Sequence, residues 1–147
     1  MAAADPPDPF DLDRFVQAQE GVYAQALEEL RAGRKDSHWM WFIFPQVAGL
    51  GRSPMAQAFA IGSQKEGEAY LAHPLLGPRL RQCTAAVLAH VDANAEQIFG
   101  AIDAMKLRSS MTLFGALAGP ASPFALCLQR FFNGEADPAT LAFLETN

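Results

Sequence analysis

The chain is poor in cysteine, in β-branched residues and in positive charge. Its 147 residues include two cysteines, and its formal net charge is −5. The shortage of Val, Ile and Thr, with no sustained alternation of polar and apolar residues, argues against β-strands. Neither cysteine has a partner at metal-ligand spacing, and the histidines His38, His73 and His90 stand apart. We therefore expect neither a metal site nor a cofactor.

Long apolar runs and a basic surface are also missing. A net charge of −5 argues against attachment to a nucleic acid polymer or an anionic membrane surface, since both require a basic face. The longest apolar run ends at Phe44 and falls far short of the ~20 residues that span a bilayer. No signal-peptide pattern is present. We expect a soluble cytoplasmic protein in which Cys83 and Cys127 are reduced core thiols.

Apolar residues recur at helical spacing along most of the chain, which predicts an all-α fold of six to eight short helices. Residues 1–9, rich in Ala and Pro, are predicted to be a disordered lead-in, and residues 10–147 a single all-helical domain. A first helix is predicted over residues 11–32, with Asp11 as its cap and Gly33 at its end.

Capping signals predict where the later helices begin. A capping residue followed by proline is typical of a helix start, and this pattern occurs at Ser53-Pro54, Ser122-Pro123 and Asp137-Pro138. Other predicted starts are Ser63 with Glu66 as a capping box, Asn94, and Asp103. A further apolar stripe runs from Leu76 to Val91, and its helix either begins around Pro78 or takes this proline into its first turn.

The segment GRKDSHWMWFIFPQ, residues 33–46, joins a polar turn to six large apolar residues. It contains both tryptophans, Trp39 and Trp41. A buried indole N–H needs a hydrogen-bond acceptor, so a polar group must lie close by. The segment is either a structural keystone, with Arg34, Asp36 and His38 as an internal network, or part of a ligand site.

Five sequence blocks resemble one known family. They are GRKxSHWMWFIFPQ, GLGxS at residues 49–53, HPxLGxRL at 73–80, IFGxxDxxKLxSSMTLF at 98–114, and FxxGxxDxxTL at 131–141. Together they are similar to an uncharacterised bacterial domain of unknown function whose members are sometimes labelled calpastatin. The similarity runs from about residue 8 to the C-terminus. It implies a compact all-helical domain, and it implies no activity, substrate or catalytic residue.

Basic and hydroxyl residues near this segment form a candidate anion site. The N-terminus of a helix that opens at Ser53 offers free N–H groups and a favourable dipole. The candidate ligand-binding residues on this side are Arg34, Lys35, Ser37, His38, Trp39, Gln46, Arg52 and Ser53. The alternative is that Ser53 is only a helix cap, since GLGRS is not a phosphate-loop motif.

A second polar cluster lies on the segment KLRSSMT, where Lys106, Ser109 and Ser110 fall on one side of a helix. Ser with Lys at this spacing resembles a nucleophile pair, whereas most serine-rich helix faces are solvated or closely packed. His38 is the candidate for acid–base catalysis, because an unperturbed imidazole titrates near neutrality. Its alternative role is to fill a buried polar gap beside Trp39.

Two functions from different classes follow from these patterns. The first is binding of a small anion, nucleotide-like or phosphorylated, between the Arg34–Ser53 and Lys106–Ser110 clusters, with or without catalysis. The second is a protein-interaction or homodimerisation module without chemistry, with Trp39 or Trp41 as an exposed anchor. The sequence leaves the substrate, the reaction and the oligomeric state open.

Overall fold

The computed structural model describes residues 7–147, which form ten α-helices. The helices are α1 (Asp13–Gln19), α2 (Tyr23–Ala32), α3 (Met40–Ile43), α4 (Pro54–Ala58), α5 (Gln64–Ala72), α6 (Leu76–Leu88), α7 (Ala95–Phe99), α8 (Ala101–Ala118), α9 (Pro123–Phe132) and α10 (Pro138–Thr146). Within residues 7–147 no β-strand forms, and one isolated bridge joins Val47 to Ile61. The all-α prediction is confirmed, with more helices than expected.

The predicted first helix is two helices, because the chain turns at Gly21, where φ is 76°. Asp11 does not cap it. The N-cap position is Leu12, and the carboxylate of the upstream Asp8 accepts hydrogen bonds from the backbone N–H groups of Leu12 (2.8 Å) and Asp13 (2.9 Å). The first six residues of the predicted lead-in lie outside the described residues, and ordered contacts begin by Asp8. Gly33 ends α2 in the left-handed conformation, as predicted.

The three predicted starts before proline are confirmed. In α4, α9 and α10 the side chain of the capping residue accepts a hydrogen bond from the N–H three positions later, and these residues are Ser53, Ser122 and Asp137. Asn94 and Gln97 form a complete capping box at α7. These caps satisfy N–H groups that the first helical turn cannot pair.

The junction between α5 and α6 is unusually close. Helix α6 begins at Leu76 and takes Pro78 into its first turn, which was one of the two alternatives. A Cβ atom at Gly77 would lie 2.2 Å from the carbonyl oxygen of Leu71. His73 precedes the helix, and its Nδ1 accepts the N–H groups of Leu75 (3.1 Å) and Leu76 (3.2 Å). Only glycine permits this approach of two backbones.

Aromatic rings connect four helices through the core. Phe15 of α1 contacts Tyr70 of α5 at 5.1 Å between ring centroids, Tyr70 contacts Phe114 of α8 at 5.5 Å, and Phe114 contacts Phe124 of α9 at 5.8 Å. All four rings are fully buried. The long helix α8 packs against α5, α7, α9 and α10 and so lies at the centre of the domain. Among residues 7–147, no helix is long and apolar enough to cross a membrane.

Candidate functional site

The turn between α2 and α3 is held by one carboxylate, that of Glu29. Its Oε1 accepts the backbone N–H groups of Asp36 (2.7 Å) and Ser37 (2.9 Å) and the indole Nε1–H of Trp39 (3.0 Å). Its Oε2 accepts the Ser37 hydroxyl (2.5 Å) and the Gln25 amide (3.1 Å). Glu29 is thus the acceptor that the buried indole requires, and it fixes the path of residues 33–39.

Burial of Glu29 acts to raise the pKa of its carboxyl. The hydrogen bonds from the Ser37 hydroxyl, the Asp36 and Ser37 N–H groups and the Trp39 indole outweigh burial and lower the pKa to about 2. Glu29 is therefore ionised at neutral pH and is a weak base. Its hydrogen bond to Ser37 serves the structure of the turn and does not prepare Ser37 as a nucleophile.

Sequence reasoning missed Glu29, although a signal was present. Ala26 and Leu30 lie on the buried face of α2, and Glu29 follows Ala26 by three positions on the same face. A carboxylate on a buried helix face, just before a polar turn with a tryptophan, predicts a hydrogen-bonded partner in that turn.

A cationic cluster lies against this turn, formed by Lys35, Trp39, Trp41, Asp103 and Lys106, and we call it the lysine cluster. The Nζ atoms of Lys35 and Lys106 lie 2.8 Å and 3.2 Å from the two oxygens of Asp103. The same atoms lie 5.0 Å and 4.8 Å from the ring centroids of Trp39 and Trp41, respectively. Two cations thus share one carboxylate, and each also faces an indole ring.

Asp103 was predicted to cap a helix, and this prediction is wrong. Helix α8 begins at Ala101, so Asp103 lies inside its first turn, with its side chain directed to the two lysines. Burial acts to raise the pKa of Asp103, but the hydrogen bonds and positive charges of Lys35 and Lys106 outweigh it and hold the pKa below its usual range. The ion pairs persist at neutral pH.

Two of the predicted basic site residues, Arg34 and Arg52, do not join the lysine cluster. The Arg34 side chain is 81% exposed and pairs with Asp36 at 3.5 Å. It lines a shallow depression of about 680 Å³ together with Glu28 and Glu29, where carboxylates outnumber cations. The exposed Arg52 and Ser53 make no ion pair or hydrogen bond to the lysine cluster anywhere in residues 7–147.

His38 and Gln46 also lie apart from the lysine cluster. His38 is exposed, which contradicts the alternative that it fills a buried gap beside Trp39. In the described part of the chain its ring makes no hydrogen bond. Gln46 is half-buried, and its backbone carbonyl accepts a hydrogen bond from the backbone N–H of Ile61 at 2.8 Å.

The segment KLRSSMT is divided between two tasks. Lys106 belongs to the lysine cluster, whereas the Ser109 hydroxyl bonds to Asp137 Oδ2 at 3.1 Å and helps to fasten α10. The Ser110 hydroxyl is buried and has no hydrogen-bond partner within residues 7–147. Neither serine is hydrogen bonded to Lys106, so the nucleophile pair that the spacing resembles does not form.

Within the described residues, no group of three or more His, Cys, Asp or Glu side chains is placed so that it could hold a metal ion.

A solved crystal structure has the same fold as this chain. The crystal structure of the conserved hypothetical protein Rv1873 from Mycobacterium tuberculosis is similar, with 50% sequence identity, a TM-score of 0.91, and coverage of 95% of this chain and 100% of that chain. No protein with a curated description matches. The family described as "Protein of unknown function (DUF1810)" matches residues 9–144, and this match does not show the calpastatin label. On this match over nearly its whole length, the chain belongs to the DUF1810 family of proteins of unknown function.

Proposed function

We propose that the protein binds a small anionic ligand, nucleotide-like or phosphorylated, at the lysine cluster. The observation that carries the proposal is the convergence of Lys35 and Lys106 on the single carboxylate of Asp103. The charged side chains of the cluster itself, two ammonium groups and one carboxylate, sum to one positive charge, on a chain whose net charge is −5. A local excess of positive charge on an acidic protein favours a small anion over a polymer.

Lys106 is the residue that would contact the ligand. Its side chain is 25% exposed, whereas that of Lys35 is 6% exposed. An ammonium group has three donors, and Lys106 donates one of them to Asp103. Lys35 already donates to the carbonyl of Ser37 at 2.6 Å and pairs with Asp103. Lys106 therefore retains donors for a phosphate or carboxylate oxygen. The more buried Lys35 adds a second positive charge to the cluster.

Trp41 supports the nucleotide-like class of ligand. Trp41 is half-buried, and its indole ring lies beside the Nζ atom of Lys106. A planar base can stack on exposed indole surface while its phosphate meets the ammonium group. Trp39 is fully buried and has no such surface.

The test uses Lys106→Met, which removes the charge and keeps an unbranched stem over Trp41. Wild type and variant are titrated calorimetrically with inorganic phosphate, nucleotides, NAD-related molecules and sugar phosphates. We expect at least one ligand to bind wild type and to lose about tenfold or more in affinity in the variant, as a charge-assisted hydrogen bond is lost. The matched control is Arg52→Met, which removes an exposed cation outside the cluster and should bind as wild type does.

Two outcomes oppose the proposal. One is that every ligand is silent against wild type at millimolar concentration. The other is that Lys106→Met and Arg52→Met bind equally well, which would leave Lys35, Asp103 and Lys106 as a purely structural arrangement.

A second candidate function is a homodimerisation or protein-interaction module built around the structural keystone at residues 33–46. Ile102 and Met105 favour it, because they are 76% and 54% exposed on the first turns of α8. The fully buried Trp39 cannot be the exposed anchor that the sequence allowed. Sedimentation equilibrium should show a dimer that Ile102→Glu dissociates and Val91→Glu, an exposed site outside α8, does not. A monomer at every wild-type concentration would exclude the dimer.

A further inference from the structure

Helices α2, α6 and α9 lie side by side and run in the same direction, with α6 in the middle. Tyr23, at the start of α2, is hydrogen bonded to Gln82 of α6, and beyond the end of α6 the His90 ring is hydrogen bonded to the carbonyl of Leu30 of α2 at 2.6 Å. On the other side, Arg81 lies near Phe124 at the start of α9, at 5.9 Å from its ring. The second contact on that side joins Arg130, late in α9, to the carbonyl of Leu88 at 2.5 Å. The three helices thus form one surface, with the outer side of α6 between α2 and α9.

These three helices carry four arginines, which we call the arginine face: Arg31, Arg79, Arg81 and Arg130. Neither α6 nor α9 contains an Asp or Glu. On α2, Glu29 is directed into the turn at residues 36–39, and Glu28 lines the depression beside Arg34. The positive charge of the arginine face is therefore not offset by carboxylates of its own helices.

The four guanidinium groups have few partners. Within residues 7–147 none of them forms an ion pair. Arg79 lies 4.6 Å from the Tyr23 ring and donates one hydrogen bond, to Gln19 at 3.3 Å. Arg81 donates one long bond of 3.4 Å. A guanidinium has five N–H donors, so most donors of the arginine face remain available.

We propose that the arginine face is a docking surface for an acidic protein segment. Planar guanidinium groups bind carboxylates in a bidentate manner, so complementary charge identifies the partner's chemistry. The small residue Ala85 on the exposed outer side of α6, and Ala89 directly after the helix, allow a second chain to lie close to it. Its 13 residues span about 20 Å, which corresponds to about six extended residues of the bound segment.

A short segment fits this surface better than a nucleic acid or a membrane. The chain as a whole carries a net charge of −5, and without these four arginines the rest of it is more negative still. An extended polyanion would meet that negative remainder beyond the edges of the arginine face, whereas a short acidic peptide stays within it. The inference is independent of the anion proposed for Lys106.

The test is fluorescence anisotropy of labelled deca-glutamate with the full chain at low salt. The variant is the double substitution Arg31→Gln and Arg81→Gln, both exposed positions that leave the Arg79 and Arg130 contacts in place. The matched control is Arg34→Gln with Arg52→Gln, which removes the same charge from exposed positions elsewhere. We expect about tenfold weaker binding for the first variant and less than about twofold for the control, with affinity falling as salt rises. Thermal unfolding of both variants checks that they fold.

Three results would overturn the proposal. The first is no binding of deca-glutamate to wild type at low salt, and the second is an equal loss in both double variants, which would indicate a general charge effect. The third is tighter binding of a short DNA duplex or of anionic lipid vesicles than of the peptide. Lys106→Met should leave peptide binding unchanged, so failure of the small-anion proposal and failure of this one are separate results.

Discussion

Five hydrogen bonds end on the carboxylate of Glu29, and together they set the path of the chain from α2 to α3. Two of the donors are backbone N–H groups, so the conformation of the turn depends on the charge of a residue in the preceding helix. The same turn places Lys35, whose N–H donates to the carbonyl of Ile98 at 2.7 Å. Glu29 thus positions one half of the lysine cluster.

At the residue scale, Glu29→Gln should strongly destabilise the fold. The amide keeps one acceptor oxygen but turns a donor group toward the Ser37 hydroxyl or the Trp39 indole, which leaves buried donors unpaired. We expect a loss of about 3 kcal/mol in the free energy of unfolding, measured by urea denaturation. Glu28→Gln, at the exposed neighbouring position, should change it by less than about 0.5 kcal/mol. Equal effects at both positions would contradict the assigned role.

The contribution of the Glu29 carboxylate to stability should depend on pH. Its pKa is lowered from 4.5 to about 2 in the folded state, so folding favours the ionised form. That contribution is fully present above the unfolded pKa and is lost as the pH falls toward about 2. The difference in unfolding free energy between wild type and Glu29→Gln should therefore shrink below about pH 4.5. Urea denaturation at a series of pH values measures it, and a constant difference down to about pH 3 would contradict the prediction.

Helix boundaries show which structural features a local pattern can predict. Ser53, Ser122 and Asp137 cap their helices through hydrogen bonds that span three residues, and their partners stand in the same short sequence window. Asp103 has the same local appearance but pairs with Lys35, which lies far away in sequence and is brought close by folding. Local signals therefore predicted the caps and could not predict the ion pair.

At the element scale, Gly77→Ala should disrupt the packing of α6 against α5. The added Cβ would lie 2.2 Å from the backbone oxygen of Leu71, so one of the two helices must shift. We expect a loss of about 2–3 kcal/mol in the free energy of unfolding, measured by urea denaturation. The matched control is Gly115→Ala in α8, where the added Cβ would meet Ala125 at an ordinary 3.4 Å. There a more favourable helix propensity should leave stability unchanged or raise it by up to about 1 kcal/mol.

The opposite ranking of these two variants would show that α5 and α6 are not closely packed at Gly77. A loss in both variants of the same size would show that the cost belongs to glycine replacement in general and not to the junction.

At the scale of the whole molecule, the reactivity of the two cysteines tests whether the helices open together or separately. Cys83 lies in α6 and Cys127 in α9, and both thiols are free and fully buried. Burial raises the pKa of each thiol to about 12, so neither supplies thiolate at neutral pH. The rings of Phe114 and Phe124 tie the surrounding helices into one core, so exposing either thiol requires that core to open.

Ellman's reagent should therefore react with both cysteines rapidly in denaturant and with both only slowly in the native protein. The slow native reaction should have the same rate for the two thiols, equal to the rate expected from global unfolding. Mass spectrometry of the modified peptides distinguishes Cys83 from Cys127. Rapid modification of one cysteine alone would show that its helix opens independently of the rest.

The sequence determined the helical class of this protein, the starts of α4, α5, α7, α9 and α10, and the need for an acceptor beside a buried tryptophan. These features depend on periodicity and on hydrogen bonds between residues close in the chain. Tertiary structure decided that Glu29 is that acceptor, that Lys35 meets Lys106 across Asp103, and that Arg34 and Arg52 stand apart. The physical reason is that ion pairs and burial depend on distances in space, and only the packing of helices remote in sequence fixes those distances.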